Sequence, residues 1–286
     1  MPTISIDGIA TRYEIRGSGP ALLMFSPGGF DATIDAWSSR GAYAQTKPIE
    51  HLSRAYTCIL FDRRESGGSG GRIERLTWAH YVVQGKGLLA HLGIERAHLM
   101  GGCMGCSPVL AFAVTHPQAV ISMVLYWPAG GPKYRLSSRQ RFAEHLAFAH
   151  REGLQAVVDL AREGGKAFGA DPRVGPWASV IRSDPQFATQ YAAQDPAAYE
   201  LILVGMERGL FDRDTTPGAE PEDLMRLDIP ALIIPGHDRS HATSAARYLE
   251  ECLPRAEYWD TAVAGQTEAR TSARILEFLA STSPSP

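Results

Sequence analysis

Short apolar runs punctuate the chain at intervals: ALLMF (21–25), YTCILFD (56–62), AHLMG (97–101), AVISMVLYWP (119–128) and PALIIP (230–235). Bounded by Gly, Pro or charged residues, such runs read as buried strands. AEYWD (256–260) reads as a further strand, and TISI (3–6) and ATRYEIRG (10–17) flank Asp7-Gly8 as a hairpin. Helical spacing fills the gaps. In TWAHYVVQGKGLLAHLGI (77–94), Tyr81, Val82, Leu88, Leu89 and Leu92 share one face. SPVLAFAVTHP (107–117), HATSAARYLEECLP (241–254) and TSARILEFLAS (271–281) are the other predicted helices. Apolar strands alternating with helices predict an α/β fold with a mainly parallel, doubly wound sheet covered on both faces. The alternation breaks between Pro132 and Leu227, where charged and aromatic helical segments follow one another without an apolar strand. The reading is a core of residues 1–131 and 228–286 with a helical cap, 132–227, inserted into it. DTTPGAEPED (214–223) is expected to be its exposed return path, and the tail STSPSP (281–286) to fray.

Composition narrows the class. The 286 residues, 44% hydrophobic, suffice for one α/β core with an insertion. A net charge of −3 gives no cause to expect nucleic acid or an anionic membrane as partner. The first residues carry neither a basic nor an apolar leader segment, and no apolar run reaches the length of a membrane span. Four scattered cysteines (Cys58, Cys103, Cys106, Cys252) suit free thiols in a reducing, cytoplasmic setting. No H-E-x-x-H, Walker A or strand-borne G-x-G-x-x-G is present, so no metal or other cofactor is expected. The expected partner is a small-molecule substrate, and a homodimer through the cap or a sheet edge is left open.

The chemistry concentrates in GGCMGC (101–106), directly after AHLM. A nucleophile between small residues at a strand end fits a sharp strand-to-helix turn, because Gly101 and Gly105 relieve the crowding that the turn creates. The helix beyond it favours thiolate at Cys103, and thiolate is the reactive form. Cys103 and Cys106 also form C-x-x-C, either as a redox pair or because a first helical turn needs a small residue. Further segments fall in register with this one: Ser26-Pro27-Gly28-Gly29 after ALLMF, FDRRESGGSG (61–70), and IIPGHD (233–238). Together they resemble the α/β-hydrolase superfamily over nearly the whole chain.

That resemblance implies a nucleophile elbow at Cys103 and an oxyanion hole from the amides of Met104 and of Gly29 or Phe30. It implies Asp238 as the acid and a lid over an apolar pocket. The chain departs from the pattern in four places. Cys103 replaces serine, Glu65 a glycine, and Pro27 the oxyanion-loop histidine. No histidine follows His241, although the family's base should lie within 260–274, where Gln266 is the nearest polar candidate. His241 is weighed as a displaced base against a helix-start residue making local hydrogen bonds. His237 is set aside, because neighbours on extended backbone point to opposite sides. Trp127 and Gln266 are expected at the pocket, and Glu65 as a surface ion pair or a pocket carboxylate. The expectation is an acyl-transfer enzyme forming a thioacyl intermediate on Cys103. Its substrate would be a small hydrophobic or aromatic ester, lactone, thioester or activated C–C bond. The alternatives are a lyase, isomerase or decarboxylase on the same fold, or a non-catalytic ligand-binding protein.

Overall fold

A computed structural model describes residues 2–283. Eight strands form one sheet in the order β1-β2-β4-β3-β5-β6-β7-β8. They are β1 (Thr3–Ile6), β2 (Ile9–Arg16), β3 (Ala21–Phe25), β4 (Thr57–Phe61), β5 (Ala97–Gly102), β6 (Val120–Tyr126), β7 (Ala231–Ile234) and β8 (Ala256–Tyr258). The first two pairings, β1 with β2 and β2 with β4, are antiparallel, and every later one is parallel. The β1–β2 turn forms because Asp7 and Gly8 both take positive φ, the backbone that a tight hairpin demands.

Alternation along the central strands divides the core. Leu23, Phe25, Ile59 and Phe61 face one side, where helices Trp78–His91 and Cys106–Thr115 cover them. Leu22, Met24, Cys58 and Leu60 face the other, under the last helix, Glu268–Thr282. Between β3 and β4 lie three short helices, Ala36–Ser39, Gly41–Thr46 and Pro48–Leu52, which the apolar pattern did not announce. Each is too short to show a periodic face.

Only helices and turns separate β6 from β7, beginning with Pro132–Glu152 and ending with Pro221–Leu224. They build a core of their own around Phe142, Trp177, Tyr191, Tyr199 and Phe211, and Phe30 and Met104 join it from the ends of the sheet region. The insertion thus seals against the carboxyl ends of β3 and β5. Its return path, expected to be exposed, is exposed at Asp214 and Glu220 and buried between them. Thr216 is fully buried, and a Cβ on Gly218 would stand 2.3 Å from the Ser107 carbonyl. At the far end, Ser281 and Thr282 lie within the last helix, and residues 284–286 are outside the described range.

Candidate active site

The elbow is built by crowding. Cys103 has φ +54°, a left-handed backbone that costs a non-glycine residue energy. It opens a short 3₁₀ turn (Cys103–Gly105) that runs into helix Cys106–Thr115. A Cβ on Gly101 would meet the Gly105 carbonyl at 2.5 Å, and one on Gly105 the Phe25 carbonyl at 2.3 Å. Only glycines let strand, turn and helix approach this closely. The neighbouring thiol, Cys106, is buried and donates to the Gly101 carbonyl at 3.1 Å, so it braces the turn.

Cys103 is half-buried and lines a cavity of about 240 Å³. Backbone amides of Met104 and Gly28 point at its sulfur. The expected loop donors were Gly29 or Phe30, and the amide facing the sulfur lies one residue earlier. Gly29 spends its N–H on the Asp31 carboxylate at 3.2 Å, and Phe30 is packed edge-on between Phe142 and Phe168. Arg63, fully buried, donates to the carbonyls of Gly28 and Gly29 and so fixes the loop from behind.

His241 and Asp238 stand together on the loop after β7. Asp238 Oδ1 accepts the amides of Ser240 (2.7 Å) and His241 (3.0 Å), a turn that doubles the chain back on itself. The His241 Nδ1–H then reaches both carboxylate oxygens at 2.9 Å. Gly236 permits the fold-back, since a Cβ there would lie 2.6 Å from the His241 Cβ. The segment after β6 ties this loop to the elbow. Ala129 donates to the Cys103 carbonyl (3.3 Å), Gly130 donates to Ser240 (3.0 Å), and Gly130 bridges to His241.

With Nδ1 committed to Asp238, Nε2 is the free end of the ring. It is buried, and no acceptor among the described residues completes a well-aligned hydrogen bond to it. Cys103 and His241 are nevertheless close enough that each shifts the other. The pair is therefore coupled by charge, with its hydrogen bond still loose, as is common in unliganded sites. Burial pushes the Cys103 thiol up, but His241 and the amides of Met104 and Gly28 together outweigh it and hold the thiol below its ordinary value. Burial lowers the His241 imidazolium, and Cys103 and Asp238 more than offset this, raising it to about 10. Its hydrogen bond to His241 draws Asp238 down to about 2 against partial burial. All three shifts favour the charged forms: thiolate, imidazolium and carboxylate.

Trp127 and Gln266 were expected at the pocket, and neither lines the cavity. Trp127, itself at φ +52°, lays its ring 5.4 Å from the His241 ring. Its indole N–H donates to Gln266 Oε1 (2.7 Å), whose amide donates in turn to the carbonyls of Pro235 (2.7 Å) and Thr261 (3.2 Å). Gln266 thus spends its hydrogen bonds on structure, behind the histidine. His237 is exposed and held by Thr243 at 3.0 Å. Glu65 lies outside the cavity, and it is not a surface residue either. It is fully buried and paired with Arg64 at 3.1 Å, and burial raises its carboxyl to about 7.

The cavity walls hold further residues that the motifs did not single out. Met104, Phe142, Phe168 and Phe211 make them apolar, and Arg40 spans the Asp31 carboxylate at 2.7 Å and 3.1 Å. Phe142 sits in a helix whose inward positions recur at helical spacing, a signal present in the sequence.

Known proteins show the same frame. Residues 21–148 match the family model described as the alpha/beta hydrolase fold. The chain is 31% identical over 156 residues to the dihydrolipoyllysine-residue acetyltransferase component of the acetoin cleaving system of Cupriavidus necator, covering 54% of this chain and 38% of that one. It is 33% identical over 155 residues to a 2-hydroxy-6-oxo-6-phenylhexa-2,4-dienoate hydrolase of Comamonas testosteroni, covering 53% and 48%. The chain thus spans less than half the length of either relative. The solved structure of the enol-lactonase from Burkholderia xenovorans LB400 superposes with a TM-score of 0.60 at 18% identity, over 98% of this chain and all of that one. Strand order, elbow and these likenesses agree: the chain has the α/β-hydrolase fold.

Proposed function

We propose that the protein is a hydrolase in which Cys103 is the nucleophile, His241 the acid–base and Asp238 its orienting carboxylate, acting beneath a helical cap. The observation that carries this is His241 itself. Its Nδ1 is held by Asp238 and its buried Nε2 is left for the thiol side of the ring. The charge relation with Cys103 supports the same roles. The base comes from the loop after β7 instead of the loop after β8, where Gln266 stands.

In this mechanism the thiolate attacks the substrate carbonyl carbon and a C–S bond forms. The carbonyl oxygen takes up the negative charge and receives the amides of Met104 and Gly28. As the tetrahedral species collapses, the bond to the leaving group breaks and the Nε2 proton of His241 passes to it. The neutral imidazole then removes a proton from water, whose oxygen attacks the thioester. The C–S bond breaks, and the thiolate–imidazolium pair is restored. Aromatic walls and a cavity of about 240 Å³ suit a small hydrophobic or aromatic acyl group. The two curated relatives include one named as a hydrolase, which supports the reaction class.

Intact-mass spectrometry after exposure to p-nitrophenyl butyrate tests the reading. The expected result is an acyl adduct on Cys103 that decays, no adduct in C103A, and an adduct that persists in H241A because water is no longer activated. Turnover that survives C103A would overturn the thioester and favour the enolate chemistry of a lyase or isomerase. Binding without product would favour a ligand-binding protein.

A further inference from the structure

One face of helix Pro132–Glu152 turns three polar side chains toward the cavity that Cys103 opens onto: Tyr134, Ser138 and Arg141, at i, i+4 and i+7. None of them has a partner among the described residues. The Tyr134 hydroxyl is buried without a hydrogen-bond partner, in a residue only 7% exposed. The Ser138 hydroxyl, in a residue 3% exposed that lines the cavity, makes no hydrogen bond among the described residues. Arg141 is half-buried and forms no ion pair among them, and Gln140 occupies its helical neighbour Glu144 at 3.0 Å. A buried hydroxyl without a partner, such as that of Tyr134, is rare in folded proteins and calls for an explanation. The other cation on this wall, Arg40, is already neutralised by Asp31. Arg141 is therefore the cavity's uncompensated charge, and it stands among aromatic side chains.

We propose that Tyr134, Ser138 and Arg141 form an anion subsite that receives a carboxylate carried by the substrate, so that the natural acyl donor is a small aromatic or apolar acid derivative. A carboxylate supplies acceptors for all three donors at once, and a guanidinium is the side chain whose fork matches it. The proposal rests on the cavity being the substrate site, and it deepens the hydrolase reading by naming the substrate class.

Two experiments separate the subsite from the nucleophile. The first measures calorimetric binding of 3-phenylpropionate and of the neutral 3-phenylpropionamide to C103A, where no covalent step intervenes. The acid should bind about tenfold tighter than the amide or better, R141Q should remove that preference, and R141K should restore part of it. Y134F should weaken acid binding several-fold. Equal binding of the two probes, a preference that survives R141Q, or no measurable acid binding overturns the subsite. The second compares alkylation of Cys103 in the otherwise native protein by iodoacetate and iodoacetamide, each joining sulfur to carbon and expelling iodide. The iodoacetate-to-iodoacetamide rate ratio should fall in R141Q, and an unchanged ratio counts against the subsite. If Cys103 reacts with neither reagent, the nucleophile reading fails, and the binding experiment still decides the subsite.

Discussion

Arg63 is the residue whose placement most needs a reason. A fully buried guanidinium costs free energy, and two of its nitrogens, Nε and Nη1, meet no acceptor. Burial accordingly holds its pKa below the ordinary arginine value. What it does have is the pair of carbonyls of Gly28 and Gly29, and a Tyr81 ring whose centroid lies 5.1 Å away. By holding these two carbonyls it fixes the loop whose preceding peptide carries the Gly28 amide facing Cys103. Arg63→Met should therefore raise the pH at which the thiolate forms, followed by absorbance at 240 nm. It should also lower kcat about tenfold or more with a smaller effect on KM, since a preorganised oxyanion donor acts in the transition state. Arg63→Lys should recover part of both. A Met variant with an unshifted thiolate titration would show that Arg63 serves packing alone.

Among elements, the loop after β7 and the segment entering the last helix carry these residues differently from the pattern that the sequence resembles. The first supplies both Asp238 and His241, and the second supplies Gln266 as a strut. The strut's neighbour, Trp127, packs its ring against His241. Gln266→Ala would strand the Trp127 indole N–H and the Pro235 carbonyl. Leaving buried polar groups unpaired costs about 1–3 kcal/mol, readable as a lower Tm. Because Trp127 would then be free to shift, the variant should also slow turnover at Cys103, with kcat falling more than KM rises. Gln266→His should behave like the alanine variant, because that position lies behind the existing histidine and makes no contact with the thiol. A Gln266→His protein faster than the parent would refute this division of labour.

For the whole molecule, the proposed thiolate–imidazolium pair should leave a signature in stability against pH. His241 is raised from 6.5 to about 10, so its contribution is fully present below the unfolded value and is lost as pH rises through about 10. Cys103 is lowered, so its contribution is present at alkaline pH and is lost as pH falls through its depressed midpoint. Asp238, lowered from 3.8 to about 2, contributes above the ordinary carboxylate range and loses that contribution as pH falls toward 2. The Tm of the parent should therefore exceed that of H241A by a margin that is largest near neutrality and shrinks at both ends. A margin independent of pH would mean that no such charge pair forms.

The sheet was legible because its strands are buried on both faces and therefore apolar throughout. ALLMF and AHLMG became β3 and β5 to within a residue. The elbow was legible too, since its glycines follow from local crowding around one turn. The amide at Gly28, the buried setting of Glu65, and the choice of His241 over Gln266 were not. Each depends on which of several nearby groups a folded loop brings to the sulfur, and that is set by contacts distant in sequence. Gly130 aligned on His241 and Arg63 behind Gly28 are two such contacts. Local sequence settled where a strand must bend and what stands at the bend. Only the closed tertiary structure decided which histidine faces the thiol, because a side chain's direction comes from what packs behind it.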